Sequence, residues 1–223
     1  MVAKNKRFEN IIRNINIKGV KQQVIHNILT SDELEDLYYS YQTNTGNLPN
    51  RQASTLTRKR NKIMIGLLVY QGLTTTNLKN LQVENIQLYK GKIDILGTPK
   101  SNGRVLELKP WQLMELMEYI NQIRPQILKK YYRQTNQLIL PLGTSLNLQN
   151  ALAKITKELK KINHKFIDVK QIRASVIVNW LKQYNLRKTQ VFAGHRYISS
   201  TEKYQQDDLE NLHKTINTFH PFS

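Results

Sequence analysis

The chain has 223 residues, with 34 Lys and Arg against 16 Asp and Glu, a formal net charge of +18 at pH 7. It contains no cysteine, which excludes disulfide scaffolds, thiol catalysis and Cys-ligated zinc or iron–sulfur sites. With 39% hydrophobic and 22% charged residues the mixture is globular rather than disordered. The longest apolar stretch, Ile63 to Tyr70, falls far short of the roughly 18 residues a membrane span needs. The charged start MVAKNKRFEN has no apolar leader core, so a cytoplasmic or nucleoid-associated protein is expected. Lys and Arg are spread along the chain instead of forming one terminal basic amphipathic helix, which favours a nucleic-acid partner over a membrane surface.

Residues 1–28 are basic and Asn-rich, with Ile11, Ile12, Ile15 and Ile17 too irregular for one clean helix, and read as an arm or linker. Thr30-Ser31-Asp32-Glu33 is a helix start, followed by Leu34, Leu37, Tyr38 and Tyr41 at helical spacing. A loop with Gly46 and Pro49 precedes a second helix from about Leu56 to Gln71, which carries Arg58, Lys59, Arg60 and Lys62 near its start and stops at Gly72. Thr75 or Thr76 is expected to cap a short helix, Asn77 to Leu81. Val83–Leu88, Lys92–Leu96 and Arg104–Leu108 then alternate with period two and predict three short strands, the last two joined by the basic turn Gly97 to Gly103. Pro110 opens a helix whose apolar spacing continues to Pro125; further helices are expected from Leu148 to Ile162, Val169 to Lys182 and Leu186 to Ala193. Leu209, Leu212, Ile216 and Phe219 predict an amphipathic C-terminal helix over residues 207–219. The fold class is α+β, mostly helical with a small three-stranded antiparallel sheet.

The chemistry-bearing residues concentrate in the last third. Lys170 and Arg173 place two cations at i and i+3 on one helix face, and the run Ala193-Gly194-His195-Arg196-Tyr197-Ile198-Ser199-Ser200-Thr201-Glu202-Lys203-Tyr204 follows. This run resembles the tyrosine recombinase (phage-integrase) family, whose hallmark is a Leu-Gly-His box with a nucleophilic tyrosine nine positions after the histidine. His195 and Tyr204 have that spacing, with Ala193 in place of the leucine. The phrase is also similar to that of integrases from mobile elements of the Bacteroidetes. Upstream, Leu29-Thr30-Ser31-Asp32-Glu33-Leu34 is similar to the opening of the family's catalytic domain, and Leu67 to Leu73 to its Leu-Leu-Tyr-x-Thr-Gly-Leu segment. Thr98-Pro99-Lys100 resembles the hairpin turn with the catalytic lysine. The likeness covers residues 29–223 as a catalytic domain, and residues 1–28 resemble only an interdomain linker.

The resemblance implies a strand-exchange mechanism without metal or other cofactor. Tyr204 would attack the scissile phosphate, Arg173 and His195 would hold it, Lys100 would protonate the leaving 5′-oxygen, and Lys170 would assist proton transfer at the tyrosine. Arg58, Arg60, Lys62, Arg104 and Arg196 are expected DNA contacts. The partners expected are double-stranded DNA, further copies of the chain docked on DNA through the C-terminal helix, and an accessory DNA-bending protein, but no membrane. Two positions depart from the family: Thr74 stands where an arginine is expected, and Lys170 where a histidine is. Arg104, then Arg58 or Arg60, are the candidates to replace the missing cation.

Each residue also has a plainer reading. A tyrosine after a basic residue is more often a core or interface residue, a lone histidine a helix cap, an arginine on a helix a solvated charge, and a lysine in a polar turn simply exposed. The spacing of His195 and Tyr204 and the apolar neighbours of Arg173 weigh against these readings for three of the four. Three function classes stay open at this point. They are a site-specific recombinase acting through a 3′-phosphotyrosyl intermediate, a catalytically impaired relative that binds DNA as an accessory or regulator, and a plain basic nucleic-acid-binding protein.

Overall fold

The computed structural model describes residues 27–43, 51–132, 134–139 and 148–205. The expected helix over 207–219 and most of the expected arm lie outside them. Helix α1 (Ser31–Tyr39) starts at the expected segment, with Thr30 closing a capping box: Thr30 Oγ1 accepts from the Glu33 amide at 3.2 Å, and the Thr30 amide donates to the Glu33 carboxylate at 2.9 Å. Leu34, Leu37 and Tyr38 form its buried stripe. The backbone just before it is tied to the domain, because the Leu29 amide donates to Ser175 Oγ at 2.9 Å and Gln171 Nε2 donates to Asn27 O at 2.5 Å.

Helix α2 (Arg51–Gln71) begins five residues earlier than its apolar pattern suggests. It runs through the middle of the fold, with α1, α4 (Pro110–Glu118) and α7 (Val169–Gln183) packed around it. Every residue from Arg60 to Val69 is consequently buried. It ends where expected, at Gly72, whose φ of +56° is left-handed. The Gly72 amide returns to Leu68 O at 3.1 Å, the single bond of an αL ending, and the Leu73 amide reaches Leu67 O at 3.4 Å. A Cβ at Gly72 would also press on Val176 Cγ1 at 3.1 Å.

Helix α3 (Thr75–Asn80) is capped one residue earlier than expected, by Thr74. The three-stranded antiparallel sheet has the expected order, β1 (Ile86–Gln87), β2 (Lys92–Ile95) and β3 (Arg104–Glu107). The first strand is shorter than its alternation suggests because tight 3-10 turns, Val83–Asn85 and Leu88–Lys90, take up most of the segment. Register pairs Ile93 with Leu106 and Ile95 with Arg104, so Arg104 and Leu106 share the buried face of β3 while Val105 and Glu107 face out.

Pro125 does not end the helix that Pro110 opens. A π-turn, Tyr119–Ile123, intervenes, in which the Arg124 amide bonds Tyr119 O, and Pro125 falls in the first turn of α5 (Arg124–Lys130), where a missing N–H goes unnoticed. The remaining helices, α6 (Leu148–Ile162), α7 and α8 (Leu186–Ala193), match their expected spans to within one residue. Residues 199–205 are helical after the turn that follows α8. Among the described residues no helix is long and apolar enough to cross a membrane.

Candidate active site

Two helix endings and one hairpin meet at a single point. Arg173, in the first turns of α7, donates through Nη1 to Gly72 O and through Nη2 to Ala193 O at 2.8 Å. Both acceptors lie at helix C-termini, of α2 and α8, where the negative end of the macrodipole favours a cation. Burial lowers the guanidinium's pKa, and the neighbouring Tyr204 phenol acts in the opposite direction. Its bonds make Arg173 a fixed part of the fold rather than a solvated helix charge.

Helix α8 ends at Gly194, whose φ is +68°. The turn turns the chain back against the β2–β3 hairpin: the Asn102 amide donates to Gly194 O at 2.9 Å, Ser101 and His195 form an antiparallel bridge, and Arg196 Nη1 donates to Pro99 O at 3.1 Å. The hairpin is itself closed by Thr98 and Ser101, which exchange backbone bonds of 2.8 and 3.1 Å. The sequence-distant Lys100 turn is thereby docked beside His195, with the Lys100 side chain exposed at its tip.

The His195 ring is fixed on three sides. Nδ1 is 2.9 Å from Thr201 Oγ1, Nε2 is 3.4 Å from Arg173 Nη2, and the ring stacks on Tyr204 at 5.7 Å between centroids and 13° between planes. Because a guanidinium only donates, Nε2 is the bare nitrogen and Nδ1 carries the hydrogen toward Thr201. Burial, then Arg173, then Arg104 push the His195 pKa down to about 4. The ring is therefore neutral at pH 7. Thr201 is fully buried and was not singled out from sequence; a hydroxyl six residues after the histidine is the signal that could have found it.

This depression sets a pH dependence. Above pH 6.5 the ring is neutral whether the chain is folded or not. Between 6.5 and about 4 the unfolded chain takes up a proton that the folded site refuses, so stability falls, by roughly 1–2 kcal/mol after allowance for solvent screening. Below about 4 this contribution changes no further. Urea titrations of wild type and His195→Asn across this window should diverge, with the variant showing the shallower loss; equal slopes would mean that His195 titrates normally.

Arg104 reaches the same place from β3. It is 7% exposed, and Nε, Nη1 and Nη2 are all without a hydrogen-bond partner among the described residues. Its guanidinium lies against Gly194, where a Cβ would meet Nη1 at 2.4 Å and Cζ at 3.0 Å. Burial, and then the Arg173 charge, push its pKa down to about 10.

Other expected site residues are placed differently. Lys170 is exposed on the first turn of α7, and Arg196 is exposed at the rim, tethered to the hairpin. Of the cations expected on a DNA-binding face of α2, Arg58 is partly exposed and ion-paired, whereas Arg60 and Lys62 are buried and correct the expectation. Arg58 pairs with Glu158 at 3.3 Å and donates to Gln42 O at 2.9 Å. Arg60 is 2% exposed and bonds Asn61 Oδ1 at 2.7 Å, and Lys62, 8% exposed, donates to Tyr38 O with its ammonium 4.0 Å from the Tyr38 ring centre. Packing on all sides of α2 has turned Arg60 and Lys62 inward.

Thr74, where the resemblance leads one to expect an arginine, is fully engaged as a cap. Its Oγ1 accepts from the Asn77 amide at 3.1 Å and donates to Asn77 Oδ1 at 2.8 Å, and its own amide donates to Asn77 Oδ1 at 3.1 Å. Thr74→Arg should cost about 1 kcal/mol through loss of the cap and should not raise cleavage; a gain in cleavage would show a vacant cation position at residue 74.

No protein-family model matches the chain. In sequence it is 30% identical over 165 residues to "Tyrosine recombinase XerD" of Staphylococcus saprophyticus, and equally to that of Staphylococcus aureus, the match covering 73% of this chain and 55% of each relative. The chain thus spans about half the length of the curated relatives it matches. In structure it is similar to XerH site-specific recombinase bound to difH substrate in a pre-cleavage complex, with a TM-score of 0.65 at 19% identity over 86% of this chain and 53% of that one. It is also similar to XerA recombinase, with a TM-score of 0.59 at 17% identity over 87% of this chain and 64% of that one. In sequence the chain is similar to tyrosine recombinases over about half their length, and it shares the fold of XerH and XerA recombinases.

Proposed function

We propose that this chain cuts and rejoins double-stranded DNA through a 3′-phosphotyrosyl intermediate, with residues 29–223 acting as the catalytic domain. The observation that supports it most is the convergence of Tyr204, His195 and Arg173, with Tyr204 stacked on the histidine that faces the arginine. In the reaction the Tyr204 hydroxyl gives its proton up to solvent water, Oη bonds to phosphorus, and the bond from phosphorus to the 5′-oxygen breaks. The leaving 5′-oxygen takes a proton from Lys100. One phosphodiester bond is exchanged for another, so rejoining needs no energy cofactor.

A phenol with a pKa near 10 attacks poorly at neutral pH unless neighbouring cations favour its anion and the charge of the pentacovalent state. Arg173 is held ready for this by two helix carbonyls. Lys170, exposed one turn earlier on α7, assists the tyrosine's proton transfer. An anionic phosphate against His195 would raise its depressed pKa, which converts a neutral ring into a donor when substrate arrives. Arg196, on the rim, would contact a flanking phosphate, and the large positive charge makes binding dependent on salt.

The reading of an impaired accessory protein is not favoured, since the relatives that match are named as recombinases. The Ala193 to Tyr204 phrase supports a role in integration or excision of a mobile element like those of the Bacteroidetes. Self-association through residues 207–219 and help from a DNA-bending protein belong to the same proposal, as does association with the nucleoid.

The test is incubation with a pool of nicked suicide duplexes randomised around the nick, in which the short cleaved strand diffuses away and traps the enzyme. Wild type should accumulate a denaturation-resistant protein–DNA complex. Salt-sensitive binding without any covalent complex would instead favour the accessory reading.

A further inference from the structure

Arg104 is an unusual thing for a fold to keep. A guanidinium carries five donors and stays charged, and burial of an unpaired cation is among the most destabilising features a protein can retain. Arg104 is buried on the apolar face of a strand, beside Leu106 and opposite Ile95, with none of its three nitrogens bonded among the described residues. Its near neighbour is a second cation, Arg173, which makes the arrangement worse still in the absence of an anion.

The two guanidiniums flank one short turn. Arg173 holds Ala193 O and faces His195 Nε2, while Arg104 lies on the Cα side of Gly194 between them. At position 74 the hydroxyl is occupied by Asn77 and supplies no charge. We infer that Arg104 is the second phosphate-holding cation of this site: its free N–H groups and Arg173 together receive the non-bridging oxygens of the scissile phosphate, so that a strand residue supplies what position 74 lacks.

The inference deepens the recombinase reading and rests on it for the identity of the anion, but the anion site itself can be tested separately. It also bears on Gly194. The residue before the histidine has a left-handed φ of +68°, and a Cβ there would meet both the Asn102 carbonyl oxygen at 2.9 Å and the Arg104 guanidinium at 2.4 Å. A planar, forked donor suits two oxygens of one phosphate better than an ammonium does, so Arg104→Lys should not restore function.

Two measurements decide. The first is thermal unfolding of wild type and Arg104→Met in sodium sulfate against sodium chloride at equal ionic strength. Arg104→Met should melt higher than wild type in chloride, since it removes a buried unpaired charge. It should lack the sulfate-specific rise of a few degrees that wild type shows beyond the general salting-out effect common to both. An equal sulfate increment in the two proteins would overturn the inference.

The second uses the duplexes that wild type captures covalently, resynthesised with a methylphosphonate at the cleaved position. On natural phosphate, Arg104→Ala and Arg104→Lys should lower adduct formation by roughly a thousandfold, the order of an arginine finger. On methylphosphonate, which lacks the charge to be neutralised, the loss should shrink to about tenfold or less by the same electrostatic reasoning. Arg104 variants within threefold of wild type on natural DNA would contradict the role. If wild type captures no DNA at all, the recombinase reading fails, and the sulfate comparison alone then decides whether Arg104 builds an anion site.

Discussion

Replacing Tyr204 with Phe should abolish the covalent protein–DNA complex while leaving the fold and DNA binding intact. The phenol oxygen forms the bond to phosphorus, whereas the ring supplies the stacking on His195, which Phe preserves. Tyr204 is half-buried, and Arg173, on which its phenol acts, keeps its bonds to Gly72 O and Ala193 O when the hydroxyl is lost. Adduct yield should drop below detection, with the melting temperature unchanged to within about 2 °C, the size expected of a surface-level change. A large fall in melting temperature would mean that Tyr204 is chiefly a structural residue of its own domain.

Gly194→Ala should damage both stability and chemistry, and more severely than an alanine substitution elsewhere on α8. The residue adopts φ +68°, which costs a side-chain-bearing residue about 1–2 kcal/mol. The added methyl would lie 2.4 Å from Arg104 Nη1 and 2.9 Å from Asn102 O, so the hairpin and the guanidinium must both move. Overpacking of that kind adds about 1–3 kcal/mol. The displaced groups are those that set His195 against the Lys100 turn, and adduct formation should fall by roughly a hundredfold or more, as expected for ångström-scale misplacement. A variant that folds less stably but cleaves at the wild-type rate would separate the turn from the chemistry.

Local signals in the sequence predicted most of the elements. The Ser/Thr cap before Asp32, the apolar stripe Leu34, Leu37 and Tyr38 of α1, the glycine ending at Gly72 and the period-two strands around a basic turn all act over a few residues, and all stand in the structure. Pro125 misleads because the rule that proline ends a helix assumes α-spacing. One π-turn shifts the register and makes the proline a first-turn residue.

The charges were harder to read. Arg60 and Lys62 sit in a run of cations that sequence assigns to solvent, and only the packing of three helices around α2 turns them inward, toward Asn61 and Tyr38. Arg104 shows the opposite case. The alternation of Arg104, Leu106 and Leu108 already set the arginine on the apolar face of its strand, and all three are buried. What the sequence could not supply was the partner across the fold: Gly194 lies 90 residues away, brought there by the bridge between Ser101 and His195.

The most direct test of the account is the mapping of the trapped phosphotyrosine. Trypsin cuts after Arg196 and Lys203, so Tyr197 and Tyr204 fall on different peptides. After nuclease trimming of the captured DNA, mass spectrometry should find the nucleotide mass on the peptide that begins at Tyr204. Attachment to the Tyr197 peptide, where the side chain is 68% exposed and outside the His195 stack, or to any other tyrosine, would contradict the assignment of this site.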